Sequence, residues 1–477
     1  MKITFVYPGI ALIGFDSLGG SCHDTVSINL GMGYISSYVK KNSHHSIDLI
    51  DLRDLTGWLE YEKELSNRNP DIVGIYCNTV NYNNALKCAK IAKAQGRIVI
   101  SGGPHATIEP EALINTGFVD CVITGEGEVS FLEAANGIAN GRMPDKIIQG
   151  KKIDNIDAMP FPDRDIYNME RILNGPGIFP YPSRYIGMVA SRGCYYDCSF
   201  CQPLERNIFG SKVRTRSPEN IIEEVREVIK RYKVNFIMFE CDTLTTNKSW
   251  ALELCDKLRR VGIKWGAQSR ADTIDDELAQ AMQKAGCMAL FIGFESGSTR
   301  MLSLLRKRIS PQDSIFAGRI CRDNKILIFA NYMLGMPEEN RYDLDMTYDM
   351  LREIRPELHS PAYFSPMPGC DLYEYCKNKD LIKLVSYEDF VRNPTAEKIK
   401  GVDYAVLSIY KERMSALRRE WWSEAHFAKY ALTRWFFLIR KGYLKIFIIE
   451  LFSNTFFFRL PAKILIKLAK KAFAYRF

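Results

Sequence analysis

Three cysteines fall within eight residues, Cys194, Cys198 and Cys201, in the run Ser191-Arg192-Gly193-Cys194-Tyr195-Tyr196-Asp197-Cys198-Ser199-Phe200-Cys201-Gln202-Pro203. Thiolates spaced this closely can converge on one metal centre, and they are the ligands of zinc and of iron–sulfur clusters. A structural zinc ion calls for a fourth ligand nearby, yet no Cys or His occurs from Gln202 to Glu240. A four-iron cluster with one iron left open needs only three. A zinc staple or an inert thiol cluster stays as the alternative. A second group of residues suits ligand binding rather than electron transfer: the turns Gly102-Gly103-Pro104-His105-Ala106-Thr107 and Gly125-Glu126-Gly127-Glu128. Small residues let the backbone approach a large flat ligand, and their N–H groups can bond its amides or phosphate.

These residues need strands to carry them. Over the first 140 residues short apolar runs alternate with helical patterns, with strands predicted at 3–7, 47–52, 72–77, 97–101 and 120–124 and a helix over Asn83–Gln95. Such alternation predicts a doubly wound parallel sheet. Ligands of such sheets sit outside the carboxyl ends of the strands, which singles out Tyr7-Pro8-Gly9, Cys77-Asn78-Thr79 and the two Gly turns. A proline-broken stretch over 151–182 reads as a linker. A second series follows, with strands near 186–190, 236–239, 264–267, 290–294, 327–333 and 360–365. A helix is expected to start at Ser217-Pro218-Glu219, with Ser as N-cap and Pro in the first turn. Six βα repeats predict a partial barrel, short of the eight that close one. Residues 1–150 thus form one α/β domain, 183–386 a second, and 387–477 a helical region that ends aromatic and basic.

The chain has 477 residues, 47% hydrophobic and 25% charged, which excludes a disordered or fibrous protein. Its 13 Cys show no disulfide-framework rhythm and the N-terminus lacks a signal peptide's pattern, so a reducing cytoplasm is expected. The net charge of +8 is concentrated in residues 431–477, where ten Lys and Arg face the single acid Glu450. That pattern argues against a chain-wide nucleic-acid surface and for one local anionic contact.

The Cys-x3-Cys-x2-Cys spacing, with Phe200 before the third Cys, resembles the signature of the radical S-adenosylmethionine superfamily. The segments Phe239-Glu240-Cys241-Asp242-Thr243, Gln268-Ser269-Arg270, Phe294-Glu295-Ser296-Gly297-Ser298, Met333-Leu334-Gly335-Met336-Pro337-Glu338 and Pro366-Met367-Pro368-Gly369 resemble its later strand ends, in order. The two Gly turns resemble those of the cobalamin-binding domain that precedes the barrel in one branch. The resemblance implies a 4Fe-4S cluster on Cys194, Cys198 and Cys201, with S-adenosylmethionine held by Phe200, Glu240, Gln268, Arg270 and Glu295. It implies cobalamin beside Pro8, Thr79, Gly102, Gly103, His105, Gly125, Glu126 and Gly127. None of the six His follows an Asp two positions back, so His105 is expected to touch a loop or the nucleotide tail rather than cobalt. The implied reaction is methylation of an unactivated carbon in a lipid-like or cyclic substrate, with an electron from a flavodoxin- or ferredoxin-type protein. Oxidative cyclisation or rearrangement is the alternative. More remote are a non-catalytic cobalamin-binding protein and the tRNA methylthiotransferase branch, for which Cys22, Cys77 and Cys121 would hold a second cluster.

In 462–473, Lys463, Lys467, Lys470 and Lys471 share one helical face while Ile464, Leu465, Leu468, Ala469 and Phe473 gather on the other. With the aromatics upstream, this reads as an interfacial anchor on the inner face of the membrane, each basic residue adding on the order of 1 kcal/mol near an anionic leaflet. Packing of the tail onto the barrel is the competing expectation. The anchor reading predicts co-sedimentation with anionic liposomes at low salt, lost on removing 431–477.

Overall fold

Both predicted strand series become six-stranded sheets in which every neighbour pair is parallel. The computed structural model describes residues 1–9, 27–174, 184–201, 204–390 and 397–417, together with Phe436 and Ile439. The first sheet comprises β1 (Lys2–Tyr7), β2 (Ser46–Asp51), β3 (Ile72–Tyr76), β4 (Ile98–Gly102), β5 (Cys121–Thr124) and β6 (Ile147–Gln149), in the order β2-β1-β3-β4-β5-β6. Its inner strands are nearly continuous apolar runs because both faces are covered. On one face Val6, Val73 and Ile75 pack against Tyr61, Leu65 and Cys88 from helices Trp58–Arg68 and Tyr82–Ala94. On the other, Ile3, Phe5, Ile100 and Ile123 meet Met32, Val39 and Phe131 from helices Leu30–Asn42 and Glu128–Ala139. The strand order reverses between β1 and β3, which opens a ligand crevice at their carboxyl ends.

The second domain carries a two-stranded antiparallel ribbon, β8 (Ser191–Arg192) with β9 (Arg214–Thr215), between the first two strands of its sheet. Its sheet runs in chain order from β7 (Tyr185–Met188) through β10 (Phe236–Phe239), β11 (Lys264–Ser269), β12 (Cys287–Glu295) and β13 (Leu327–Leu334) to β14 (Leu358–Tyr363). Alternate residues face outward into the largest core, among them Ile237, Phe239, Trp265, Ala267, Ile328 and Tyr332. The others line the lumen, whose floor is closed by Tyr185, Phe236 and Ala289. The helix over Pro218–Tyr232 begins as expected, Ser217 accepting from the Asn220 N–H at 3.2 Å, and ends on Lys233 in the left-handed region.

Two features differ from the sequence reading. Strand β6 has three residues and the ribbon strands two each, too few for a periodic signal. The described part of the expected linker is a packed strap rather than a free connection. Asp163 accepts from Ser36 Oγ at 2.7 Å, Tyr167 donates to the Asn29 carbonyl at 2.6 Å, and Met169–Asn174 forms a short helix despite the prolines around it. Of the helical C-terminal region the structure shows Tyr404–Ala416, packed on the barrel through Leu407, Tyr410 and Met414. The basic 462–473 face lies outside the described residues. No described helix is long and apolar enough to cross a membrane.

Loss of the Ser217 cap leaves an orphaned helix N–H. Ser217→Ala is expected to lower stability by about 1 kcal/mol and Ser217→Asp to preserve it, read from chemical-denaturation midpoints.

Candidate functional site

The thiol loop follows β8 and is tied down at several points. Ser199 donates to Leu305 O (2.9 Å) through its N–H and to Leu304 O (2.7 Å) through its hydroxyl, while its own carbonyl accepts from Leu372 N–H at 2.8 Å. The Cys201 N–H donates to Cys198 O at 3.2 Å, turning the loop back on itself. Burial, with Asp242 nearby, pushes the Cys194 thiol up to about 11, and burial pushes the Asp242 carboxyl up to about 6. Among the described residues no three His, Cys, Asp or Glu side chains close round a single metal-ion position. The ligands of a four-iron cluster each take a different iron, so they stand wider apart than the ligands of one ion. Three thiols on one anchored loop, without a fourth, fit such a cluster better than zinc.

Of the five residues expected around S-adenosylmethionine, three come from strand ends that face the lumen. Glu240 follows β10, Gln268 lies on β11 with its side chain exposed, and Glu295 closes β12. Both glutamates fold back over glycines: a Cβ at Gly187 would overlap the Glu240 carboxylate, and one at Gly293 would overlap that of Glu295. Glu295, at φ +63°, forms a buried ion pair of 2.9 Å with Lys307 Nζ, which sits 5.7 Å from the centre of the Phe200 ring. Lys307 escaped sequence reading because it lies on a connection twelve residues after Glu295, where no local pattern marks it. Arg270 lies against the thiol loop. Its guanidinium lies 3.5 Å over the Tyr196 ring and 3.9 Å from Cys198 Sγ, held by Asp272 (3.0 Å) and the Lys307 carbonyl (2.7 Å), so it braces the thiol loop.

In the first domain a cavity of about 420 Å³ opens at the carboxyl ends of β1, β3, β4 and β5. Gly102, Gly103, Gly125, Glu126 and Gly127 line it, as expected, and so do Arg192 and Glu240 from the second domain. Gly103 has φ +109° and a Cβ there would stand 2.8 Å from the Cys77 carbonyl, so only glycine permits this turn. Pro8, Thr79 and His105 are not among the cavity's lining residues. Pro8 offers its carbonyl to Asn84 at 3.4 Å. His105 is fully buried, its Nδ1 3.3 Å from Thr79 Oγ1 and its ring between Tyr82 and Tyr387 at 4.9 and 4.7 Å. Burial lowers its pKa, opposed by Glu109, and the ring pins the C-terminal segment onto the Gly-Gly turn. Cys77 and Cys121 belong to the cores on opposite faces of the sheet, which keeps them from one cluster; Cys22 lies outside the described residues.

The two domains meet through buried charges that the sequence did not announce. Arg192, two residues before Cys194, bonds Glu126 at 3.0 Å and Glu128 at 2.6 Å, and Arg214 of β9 bonds Glu126 from its other side. A flavodoxin-like sheet with a Gly-lined cavity is thus joined by ion pairs to a half-barrel bearing an anchored three-thiol loop. The Radical SAM superfamily model matches residues 188–351 and the B12 binding domain model residues 18–135. An uncharacterized methyltransferase of Pyrococcus horikoshii is 30% identical over 78% of this chain and 83% of its own length. The anaerobic magnesium-protoporphyrin IX monomethyl ester cyclase of Rubrivivax gelatinosus is 26% identical over 82% and 72%. The solved radical S-adenosylmethionine methyltransferase TsrM of Kitasatospora setae shares the fold, with a TM-score of 0.65 and 14% identity over 87% of this chain and 88% of that one. The chain belongs to the radical S-adenosylmethionine superfamily, in its cobalamin-dependent methylase branch, and its cofactors are a 4Fe-4S cluster, S-adenosylmethionine and cobalamin.

The segment matched at Met333–Glu338 holds its buried acid one residue later. Glu339 Oε2 accepts from the Gly335 N–H at 2.5 Å and the Met336 N–H at 3.3 Å, while Oε1 is buried without a partner. Burial pushes this carboxyl up to about 8. A folded-state pKa above the ordinary carboxylate value stabilises the protein while the group is protonated, and that stability is lost as pH rises from about 4.5 to about 8. The melting temperature of Glu339→Gln minus that of wild type is therefore expected to grow over that window and level off above it.

Proposed function

We propose that this chain methylates an unactivated carbon of a lipid-like or cyclic biosynthetic substrate. The observation that supports this reading is one cavity lined by the Gly turns of the first domain and by Arg192 and Glu240 of the second. When bound, they supply one-electron cleavage of S-adenosylmethionine and a transferable methyl group.

The chain's own part is to bind, orient and keep water out. Cys194, Cys198 and Cys201 hold the cluster and Arg270 braces their loop. Glu240, Gln268 and the Glu295–Lys307 pair offer acceptors and a cation to the zwitterionic end and the hydroxyls of S-adenosylmethionine, with Phe200 as apolar backing. Gly102, Gly103, Gly125 and Gly127 admit a broad ligand close to the backbone. The opposite wall supports an apolar substrate. Strands β13 and β14 contain no Asp, Glu, Lys or Arg, and the lumen there shows Phe329, stacked on Phe291 at 4.5 Å, with Asn331 and Met333. A charged substrate would be poorly solvated against such a wall. Oxidative cyclisation in the same space is the second reading, favoured by the likeness to the protoporphyrin ester cyclase. Either reaction takes its electron from a flavodoxin- or ferredoxin-type donor, and the basic tail would bring the enzyme to an anionic membrane surface where apolar substrates gather.

Cys198→Ala in anaerobically reconstituted protein is expected to lower iron from about four per chain towards none and to abolish S-adenosylmethionine cleavage, while the cobalamin absorbance is still reached at saturating cobalamin. Cleavage retained by this variant overturns the assignment. Methyl-labelled S-adenosylmethionine with an apolar cell extract separates the two reactions, since label enters the product only on methyl transfer.

A further inference from the structure

The cofactor sites are joined by a rigid link that neither needs for its own chemistry. Arg192 lines the cavity, lies two residues before Cys194, and has a side chain only 5% exposed. One side of its guanidinium bonds Glu126 and the other Glu128, the two acids of the Gly125-Glu126-Gly127-Glu128 turn. The rings of Tyr34 and Phe209 flank it at 5.1 and 5.2 Å. Glu126 is held from its other side by Arg214, whose strand pairs with that of Arg192. A planar guanidinium making two directed bonds transmits position as well as charge. The turn therefore cannot shift to accommodate a ligand without moving the backbone that presents Cys194.

We infer that Arg192 is a positioning residue that couples the two cofactor sites: occupancy of the Gly-lined cavity by cobalamin and assembly of the cluster on the thiol loop favour each other through its bonds to Glu126 and Glu128. Coupling between two binding equilibria is reciprocal, so it can be read from either side. The inference rests on the cofactor set assigned above and is independent of which reaction follows.

The test titrates hydroxocobalamin, followed by absorbance under anaerobic conditions, into the full chain with and without reconstituted cluster. Wild type is expected to bind about fivefold or more tightly when the cluster is present, a ratio within the usual range for coupled sites. Arg192→Gln is expected to bring the ratio to about one while iron content stays at the wild-type level. The spectrum of the reduced cluster should then no longer change on adding cobalamin. Arg192→Lys, which keeps the charge but cannot make the forked contact, should give an intermediate ratio. If Arg192→Gln fails to fold because it leaves buried acids unpaired, the double variant Arg192→Gln with Glu128→Gln serves instead, with the same loss expected. A merely structural role would weaken cobalamin binding equally in both forms and keep the ratio, which overturns the inference, as do equal affinities in wild type. Absence of cobalamin binding in either form overturns the two-cofactor reading along with it.

Discussion

Everything at the centre of this protein depends on buried charge that can exist only when the two domains are docked. Glu126 has a side chain with no exposure and Arg192 and Arg214 have 5% and 8%, so each would be uncompensated if its partners moved away. Breaking such a pair by removing one member costs about 3–5 kcal/mol, whereas apolar replacement of a whole pair is often neutral. The arrangement therefore contributes little to net stability, yet it leaves no member free to part from its partners without cost. It continues beyond the turn. Tyr34, whose hydroxyl pKa is raised to about 12 chiefly by burial and then by Glu224, lies between Arg192 and a second buried cluster. There Arg164 of the strap bonds Glu224 at 2.6 Å, and Arg216 bonds the other oxygen of the same carboxylate. One electrostatic seam thus runs from the helix over Leu30–Asn42, across the strap, to the barrel helix over Pro218–Tyr232.

With the domains held in register, the site divides its labour by position. The acids of the lumen, Glu240 and Glu295, stand at the ends of β10 and β12, where they rest on Gly187 and Gly293. The wall formed by β13 and β14 is uncharged. Polar acceptors on one side and apolar surface on the other allow a zwitterionic cofactor and an apolar substrate to lie beside each other without either being stranded in the wrong environment. The packing of His105 between Tyr82 and Tyr387 plays a similar part at the rim, since it seats a segment from the far end of the chain against the Gly-Gly turn.

Much of this was legible before any coordinates. Five strands of the first sheet and all six of the second were placed within a few residues, because long apolar runs bounded by turns are a local signal. The thiol loop, the strand-end acids Glu240 and Glu295 and the two Gly turns could be singled out for the same reason, since each lies within a short segment. What no segment revealed is that Arg270 lies against Cys198 and Tyr196, and that Pro8, Thr79 and His105 sit beside the cavity rather than on it.

By itself the amino-acid sequence determined the two α/β domains and the thiol loop, since periodicity and spacing act over a handful of residues, and the cofactors followed from what its motifs resemble. Only the tertiary structure decided that Arg192 meets an acid 66 residues away, that Lys307 closes on Glu295, and that the proline-rich stretch is a strap rather than a tether. The physical reason is the range of the forces. Backbone propensity and amphipathic pattern are fixed along the chain, but a charge survives in the interior only where folding delivers its partner, and no single segment records where that will be.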